Sequence, residues 1–179
     1  MDEPRIDRLS LELTEKTGEM EGDNMRRKDR QVTDINELRQ IIDSCKVCRI
    51  GMIDEQGIYI VPVNFGYEFV EEKLKIYLHC AKEGRKLSAM GVNPSVCVEM
   101  DCEHQLVEGD IACTYGYRFA SVIGNGKAVI VEDMEEKKQG LSVLMRHQTG
   151  REFVFEDAQA QSVAVVRIDV EMFTGKRKC

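Results

Sequence analysis

Nowhere in the chain does an apolar run approach the ~20 residues that a membrane-crossing helix needs, so no such span is expected. The N-terminal residues are acidic and lack a signal-peptide pattern, and the expectation is a cytoplasmic protein with no membrane partner. Positive charge is in deficit: 25 Lys and Arg stand against 32 Asp and Glu, for a formal net charge of −7. A surface of that sign repels phosphate backbones, which argues against a nucleic-acid partner. The Walker sequence G-x-x-x-x-G-K-[ST] is missing, and with it any support for nucleotide hydrolysis. Tryptophan is absent, no internal repeat is present, and no nucleophile triad can be assembled. The seven cysteines are an odd number in a chain expected to be cytosolic, so they read as reduced thiols and not as a disulfide framework.

What is present fits one domain, since 179 residues suffice for a sizeable core. Residues 1–24 are charge-rich, with a weak stripe at Ile6, Leu9 and Leu13, and read as an extension that is mobile or docks on a partner subunit. Residues 25–179 are the domain proper. A basic run at Arg26, Arg27, Lys28 and Arg30 reads either as a contact for phosphate or an acidic partner, or as a solvated charge run. Asp34 is placed to cap a helix over 34–44, with Glu37 as capping-box partner and Ile35, Leu38, Ile41 and Ile42 on one face. Strands are predicted at 46–53 and 58–67, joined by an Asp54–Gly57 turn as a hairpin. A short strand at 95–101, a polar loop at 102–116, a long or bent strand at 117–132, a helix at 134–148 and a last strand at 162–170 follow, with a basic GKRK tail. Strands cluster with few helices between them, so the predicted fold is mainly β: a small antiparallel barrel with peripheral helices.

The chain is organised around residues 75–90, KIYLHCAKEGRKLSAM. Its first half alternates as a half-buried strand does, Gly84 interrupts it, and Leu87 and Met90 are spaced for a short helix. Arg85 and Lys86 then stand beside the free N–H groups of a helix start, a corner suited to a phosphate. The plainer alternative is an exposed, solvated turn. His79 ends the strand just before this corner and either hydrogen-bonds a ligand or faces water. Pro62 cannot donate to a sheet ladder, which makes its strand an edge, a bulge or a departure from its partner. Asn64 either reads a polar ring edge or is a hydrogen-bonded bulge residue.

Other motifs carry less. Gly124-Asn125-Gly126 lacks the third glycine of a dinucleotide fingerprint and lies inside a strand pattern, so it reads as a bulge or tight bend. Cys45 and Cys48 form C-x-x-C between a helix end and a strand, the wrong setting for thioredoxin-like chemistry. Cys97, Cys102, His104 and Cys113 match no standard zinc module, and no metal site is expected.

Taken together, MRRKDR at 25–30, GMIDEQGIYIVPVNFGY at 51–67, IYLHCAKEGRKL at 76–87 and SVIGNGKA at 121–128 resemble the flavin-binding split-barrel superfamily of pyridoxamine 5′-phosphate oxidase. Within it, the branch of 5-nitroimidazole resistance proteins is the most similar, and the resemblance spans about 25–175. It implies a six-stranded split barrel and a homodimer with flavin mononucleotide (FMN) at each subunit interface. It places Val61, Pro62, Val63 and Asn64 along the isoalloxazine ring and Arg85 and Lys86 on the phosphate. His79, Ala81 and Gly84 would line the approach, with further contacts from Ser121 and Val122. Cys80 stands where relatives often have a smaller polar residue or glycine. The substrate-gripping residues of true pyridoxamine phosphate oxidases are not recognisable, so the resemblance does not extend to vitamin B6 oxidation.

The function this implies is a flavin-dependent oxidoreductase acting on small planar aromatic compounds, nitroaromatics among them, with His79 as the candidate catalytic group. The alternative is a non-catalytic flavin-binding sensor or carrier, which needs the same contacts. Flavin adenine dinucleotide (FAD) is the alternative cofactor. A haem-binding member of the same barrel type would have His79 as its one candidate axial ligand.

Overall fold

The computed structural model describes residues 25–179, so the expected extension at 1–24 lies outside the described residues. β1 (Gln31–Val32) leads into α1 (Ile35–Ser44). Asp34 starts that helix as expected, its Oδ1 accepting the backbone N–H of Asn36 at 2.8 Å and of Glu37 at 3.0 Å. The Glu37 carboxylate turns instead to the Arg177 guanidinium. Leu38, Ile41 and Ile42 bury the inner face of α1.

β2 (Val47–Asp54) and β3 (Gly57–Asn64) form the expected hairpin, closed by Asp54 opposite Gly57. The turn needs Gly57, whose φ of +104° a side chain would strain. The single strand predicted at 58–67 is in fact two. The ladder to β2 ends at Asn64, Phe65 is buried, and β4 (Gly66–Val70) pairs with β5 (Lys73–Cys80) instead. α2 (Arg85–Val92) follows the connection after β5. β6 (Ser95–Val107) runs on into the first part of the region predicted as loop, through 102–107, crossing a bulge between Cys102 and Gln105 where Glu103 has φ +60°. β7 (Gly116–Val131) is the expected long strand, and α3 (Met134–Thr149) begins on an Asp133 cap and ends at left-handed Gly150. A short α4 (Asp157–Gln161) had no sequence signal.

β8 (Ala164–Lys178) extends beyond the predicted strand and takes the basic GKRK tail into the sheet, against β7 and β1. The tail's charge has partners there: Arg177 donates to both Glu103 oxygens, at 2.8 and 3.1 Å. The Gly124–Gly126 segment is a bulge, as expected, with the β7–β8 register shifting between Asn125 and Gly126. A Cβ on Gly126 would lie 2.9 Å from Val170 Cα and closer still to the Asp169 carbonyl oxygen.

The pairings are antiparallel, in the order β3-β2-β6-β7-β8-β5-β4 with β1 beside β8. The expectation of a mainly β split barrel with peripheral helices holds. The strand count is eight rather than six and the sheet is not closed, because 58–67 divides at Phe65 and β1 adds a short rung on β8. The main core draws Ile50, Met52, Val98, Met100, Val122, Ile168, Ile76 and Leu78 from five strands, capped by Ile41 and Ile42 of α1 and by Met90 of α2. A second cluster, with Tyr77, Leu141, Val143 and Val165, seats α3 on the other face of β5 and β8.

Candidate functional site

Two features of the fold meet at the start of α2. Gly84 lies at φ +141°, and with no side chain it gives the first N–H groups of α2 no acceptor of the kind Asp34 gives α1. From the first turn, Arg85 reaches the tip of the β2–β3 hairpin. Its Nε donates to Asp54 Oδ2 at 2.6 Å and its Nη2 to Oδ1 at 3.0 Å. Its guanidinium carbon lies 4.3 Å from the Tyr59 ring centroid. Hydrogen bonding from Arg85 holds the Asp54 carboxyl below the usual carboxylate range. Lys86 makes no salt bridge among the described residues. Burial pushes up the Cys48 and Cys80 thiols, and the charge of Lys86 opposes this at both.

The second feature is β3 itself, the last strand of the sheet path, whose outer edge has no strand partner among the described residues. A proline costs little here, because Pro62 stands opposite Arg49 on an edge strand. Val61 and Val63 pack against the main core, while Pro62 and Asn64 face outward and are exposed. Asn64 Nδ2 donates to the Lys46 carbonyl at 3.0 Å and to Gln148 Oε1 at 3.3 Å, so it is hydrogen-bonded where the strand ends. The crossover after it is gripped from α3: Gln148 Nε2 donates to the Phe65 carbonyl at 2.8 Å, and His147 Nδ1 lies 2.8 Å from the same oxygen. From Tyr59 beneath Arg85 to Asn64, the edge runs about 17 Å.

The remaining predicted residues fall around these two features. His79 is exposed at the end of β5, opposite Val165 of β8, and Ala81 is exposed in the connection to Gly84. Val122 is sealed in the core, so of that pair only Ser121, half-buried and opposite Asp101 and Lys176, offers a side chain. Pro62, Arg49, Glu99 and Ile123 share one row across the sheet. Two strands therefore stand between β3 and β7, a separation of about 14 Å. Within one chain the predicted set divides into the α2 corner, the β3 edge and the outer face of β7. Over the neighbouring strands β2, β3 and β6, and reaching β7 only at its bulge, lies a groove of about 660 Å³, lined by Ile53, Ile58, Ile60, Cys97 and Glu99 among others. Ile58 is 79% exposed and Ile60 61%.

Sequence reasoning missed Asp54 and Tyr59 as partners of Arg85, and Gln148 and His147 as anchors of Asn64 and Phe65. Asp54 was visible only as a turn residue, and nothing near Gln148 points to a strand some 80 residues earlier. The basic run before β1 is partly self-satisfied, Arg27 Nε donating to Asp29 Oδ1 at 2.7 Å. Cys45 and Cys48 are buried, and desolvation pushes the Cys48 thiol up to about 12, which leaves C-x-x-C without a thiolate. Among the described residues no three His, Cys, Asp or Glu side chains gather as a metal site. No described helix is long and apolar enough to cross a membrane.

A family model for pyridoxamine 5′-phosphate oxidase matches residues 34–177. The chain belongs to the pyridoxamine 5′-phosphate oxidase family. A Bacteroides thetaiotaomicron protein named for 5-nitroimidazole antibiotic resistance is 35% identical, with 82% of this chain and 86% of that one covered and a TM-score of 0.71. A flavocytochrome from Azotobacter vinelandii shares the fold at 18% identity, with coverages of 87% and 72% and a TM-score of 0.70. So does an FAD- and haem-binding protein from Mycobacterium smegmatis, at 13% identity, coverages of 83% and 73% and a TM-score of 0.71. No curated protein matches the chain. The donors present here suit a cofactor that carries a phosphate. Arg85 keeps N–H groups that Asp54 does not use, Lys86 adds a charge, and the outer edge of β3 carries no strand among the described residues.

Proposed function

We propose that the chain is a flavin-dependent oxidoreductase that holds FMN at the interface of a homodimer and reduces flat nitroaromatic compounds of the 5-nitroimidazole class. The observation that carries this reading is the junction of an uncapped, doubly cationic helix start with one end of an unpaired strand edge. In it, Arg85, Lys86 and the first N–H groups of α2 hold the phosphate, with Gly84 and Ala81 leaving the approach clear. Val61, Pro62, Val63 and Asn64 present their edge to the ring, Asn64 kept in place by Lys46 and Gln148.

When bound, the flavin would supply the electron transfer. The chain's own residues bind it, orient it and manage protons. In this reading His79, exposed at the end of β5, donates a proton to the reduced substrate. A second copy explains two otherwise unrelated facts: the exposed Ile53, Ile58 and Ile60, and the distance between Ser121 and the β3 edge. Interface formation covers the isoleucines and brings Ser121 of one copy toward the edge of the other. The nitroaromatic class is supported by the name of the 35% identical Bacteroides protein.

The test has two steps. Heat-releasing the chromophore of the purified protein should yield FMN; FAD would change the cofactor, and a haem spectrum or the absence of any flavin would overturn the reading. Mixing the anaerobically reduced protein with a 5-nitroimidazole in a stopped-flow instrument should give reoxidation well above the no-substrate control. A rate equal to the control would make the protein a flavin carrier.

A further inference from the structure

We infer that Asp54 and Tyr59, both on the β2–β3 hairpin, are positioning residues that hold the Arg85 guanidinium ready for the terminal phosphate of the flavin. The inference rests on the flavin reading above and goes beyond the residues assigned there. Arginine has five N–H donors in a rigid fork. Asp54 takes the Nε–H and one Nη2–H, the side-on pair, at 2.6 and 3.0 Å. Both N–H groups of Nη1 and one of Nη2 are left, and one from each nitrogen forms the end-on fork that a phosphate accepts bidentately. Asp54 and a phosphate can therefore be bound at once, on different edges of the same group.

The second constraint is the Tyr59 ring, 4.3 Å from the guanidinium carbon, which fixes the plane of the fork. Tyr59 is itself packed against the main core, and the Asp54 side chain is only 16% exposed, so both supports are anchored. The Arg85 side chain, at 40%, still meets solvent on the remaining side. A long side chain that normally loses rotamer freedom on binding has lost it already. The opposite possibility is that Asp54 competes with the phosphate for Arg85, and it predicts the opposite sign.

The experiment measures dissociation constants of FMN and of riboflavin, which lacks the phosphate, for the full chain and for Asp54→Asn, Tyr59→Leu, Arg85→Ala and the Asp54→Asn/Arg85→Ala pair. The ratio of riboflavin to FMN constants isolates the phosphate corner from the ring site. Asparagine keeps the oxygen that accepts the Gln56 N–H in the turn, so the hairpin is preserved. Asp54→Asn should lower the ratio roughly two- to tenfold with riboflavin binding unchanged, and Asp54→Glu should restore part of it. Tyr59→Leu should act in the same direction. In the Arg85→Ala background, Asp54→Asn should add nothing. A ratio that stays the same or rises in Asp54→Asn, or an effect that persists without Arg85, overturns the inference while the flavin reading stands. A wild-type protein that binds neither flavin, or binds both equally, overturns the phosphate assignment and this inference with it.

Discussion

Gly66→Ala tests whether the strand exchange after Asn64 is held as tightly as the geometry implies. Gly66 sits where β4 passes beneath α3, directly after the Phe65 carbonyl that Gln148 and His147 grip. A Cβ there would lie 2.5 Å from Leu144 N and from Val143 O, and closer still to Leu144 Cα. Ordinary Cβ contacts begin at 3.4 Å, so α3 has to retreat by nearly an ångström. The obstacle is helix backbone, which cannot rotate aside. Overpacking of this kind costs about 1–3 kcal/mol. Drawing α3 away also weakens the two contacts to Phe65, at about 1 kcal/mol each, for a total of about 3–5 kcal/mol. At about 2–4 °C per kcal/mol for a domain of this size, Tm should fall by roughly 6–20 °C. Thermal unfolding followed by circular dichroism measures this. Gly91→Ala is the control, because that helical glycine has nothing within 4 Å and the same change should be neutral or stabilising. A Gly66→Ala protein melting within 2 °C of wild type, at roughly the precision such scans resolve, would refute the reasoning. FMN affinity should drop alongside, since Asn64 shares Gln148 with Phe65.

Replacing Arg85 and Lys86 together by alanine should raise the FMN dissociation constant roughly 100-fold, with Tm almost unmoved. Unchanged affinity in a flavin titration would remove the corner from the site. Ile60→Glu puts a charge on the outer-face groove and should convert a dimer to a monomer in light scattering; a dimer that persists would place the interface elsewhere. Cys48 has its thiol pushed up to about 12 by burial, so the neutral form belongs to the folded state and the anion to the unfolded one. Its contribution is complete at neutral pH and is lost as pH rises above about 9, by roughly 1.4 kcal/mol at pH 10. Urea midpoints at pH 7 and pH 10 should therefore differ less in Cys48→Val than in wild type, and an equal difference would show that the thiol does not titrate on unfolding.

The parts of this fold that were legible are those whose cause is local. The Asp34 and Asp133 caps, the αL glycine at 150 and the apolar spacing of α1 fix two helices, each through residues inside it or next to its ends. The α2 corner was legible for the same reason, since Gly84, Arg85 and Lys86 are neighbours. What stayed hidden depends on distant partners. Residues 102–107 look like a loop because their strand is mostly exposed, and the bulge at Glu103 exists to meet Arg177. The GKRK tail shows no sign of its strand pairing for the same reason: the carboxylates that meet Arg177 are on α1 and β6. The run 58–67 reads as continuous because its change of partner at Phe65 is decided by α3, whose grip comes from Gln148 and His147.

β8 has a consequence for how this protein is made. It pairs with β1, β5 and β7 at once, and its Ala164 lies opposite Cys80. While a ribosome adds the intervening residues at roughly 5–20 per second, β5 waits on the order of ten seconds with one flank bare. Ile76 and Leu78 sit on that strand, so this part of the core closes only once β8 has emerged.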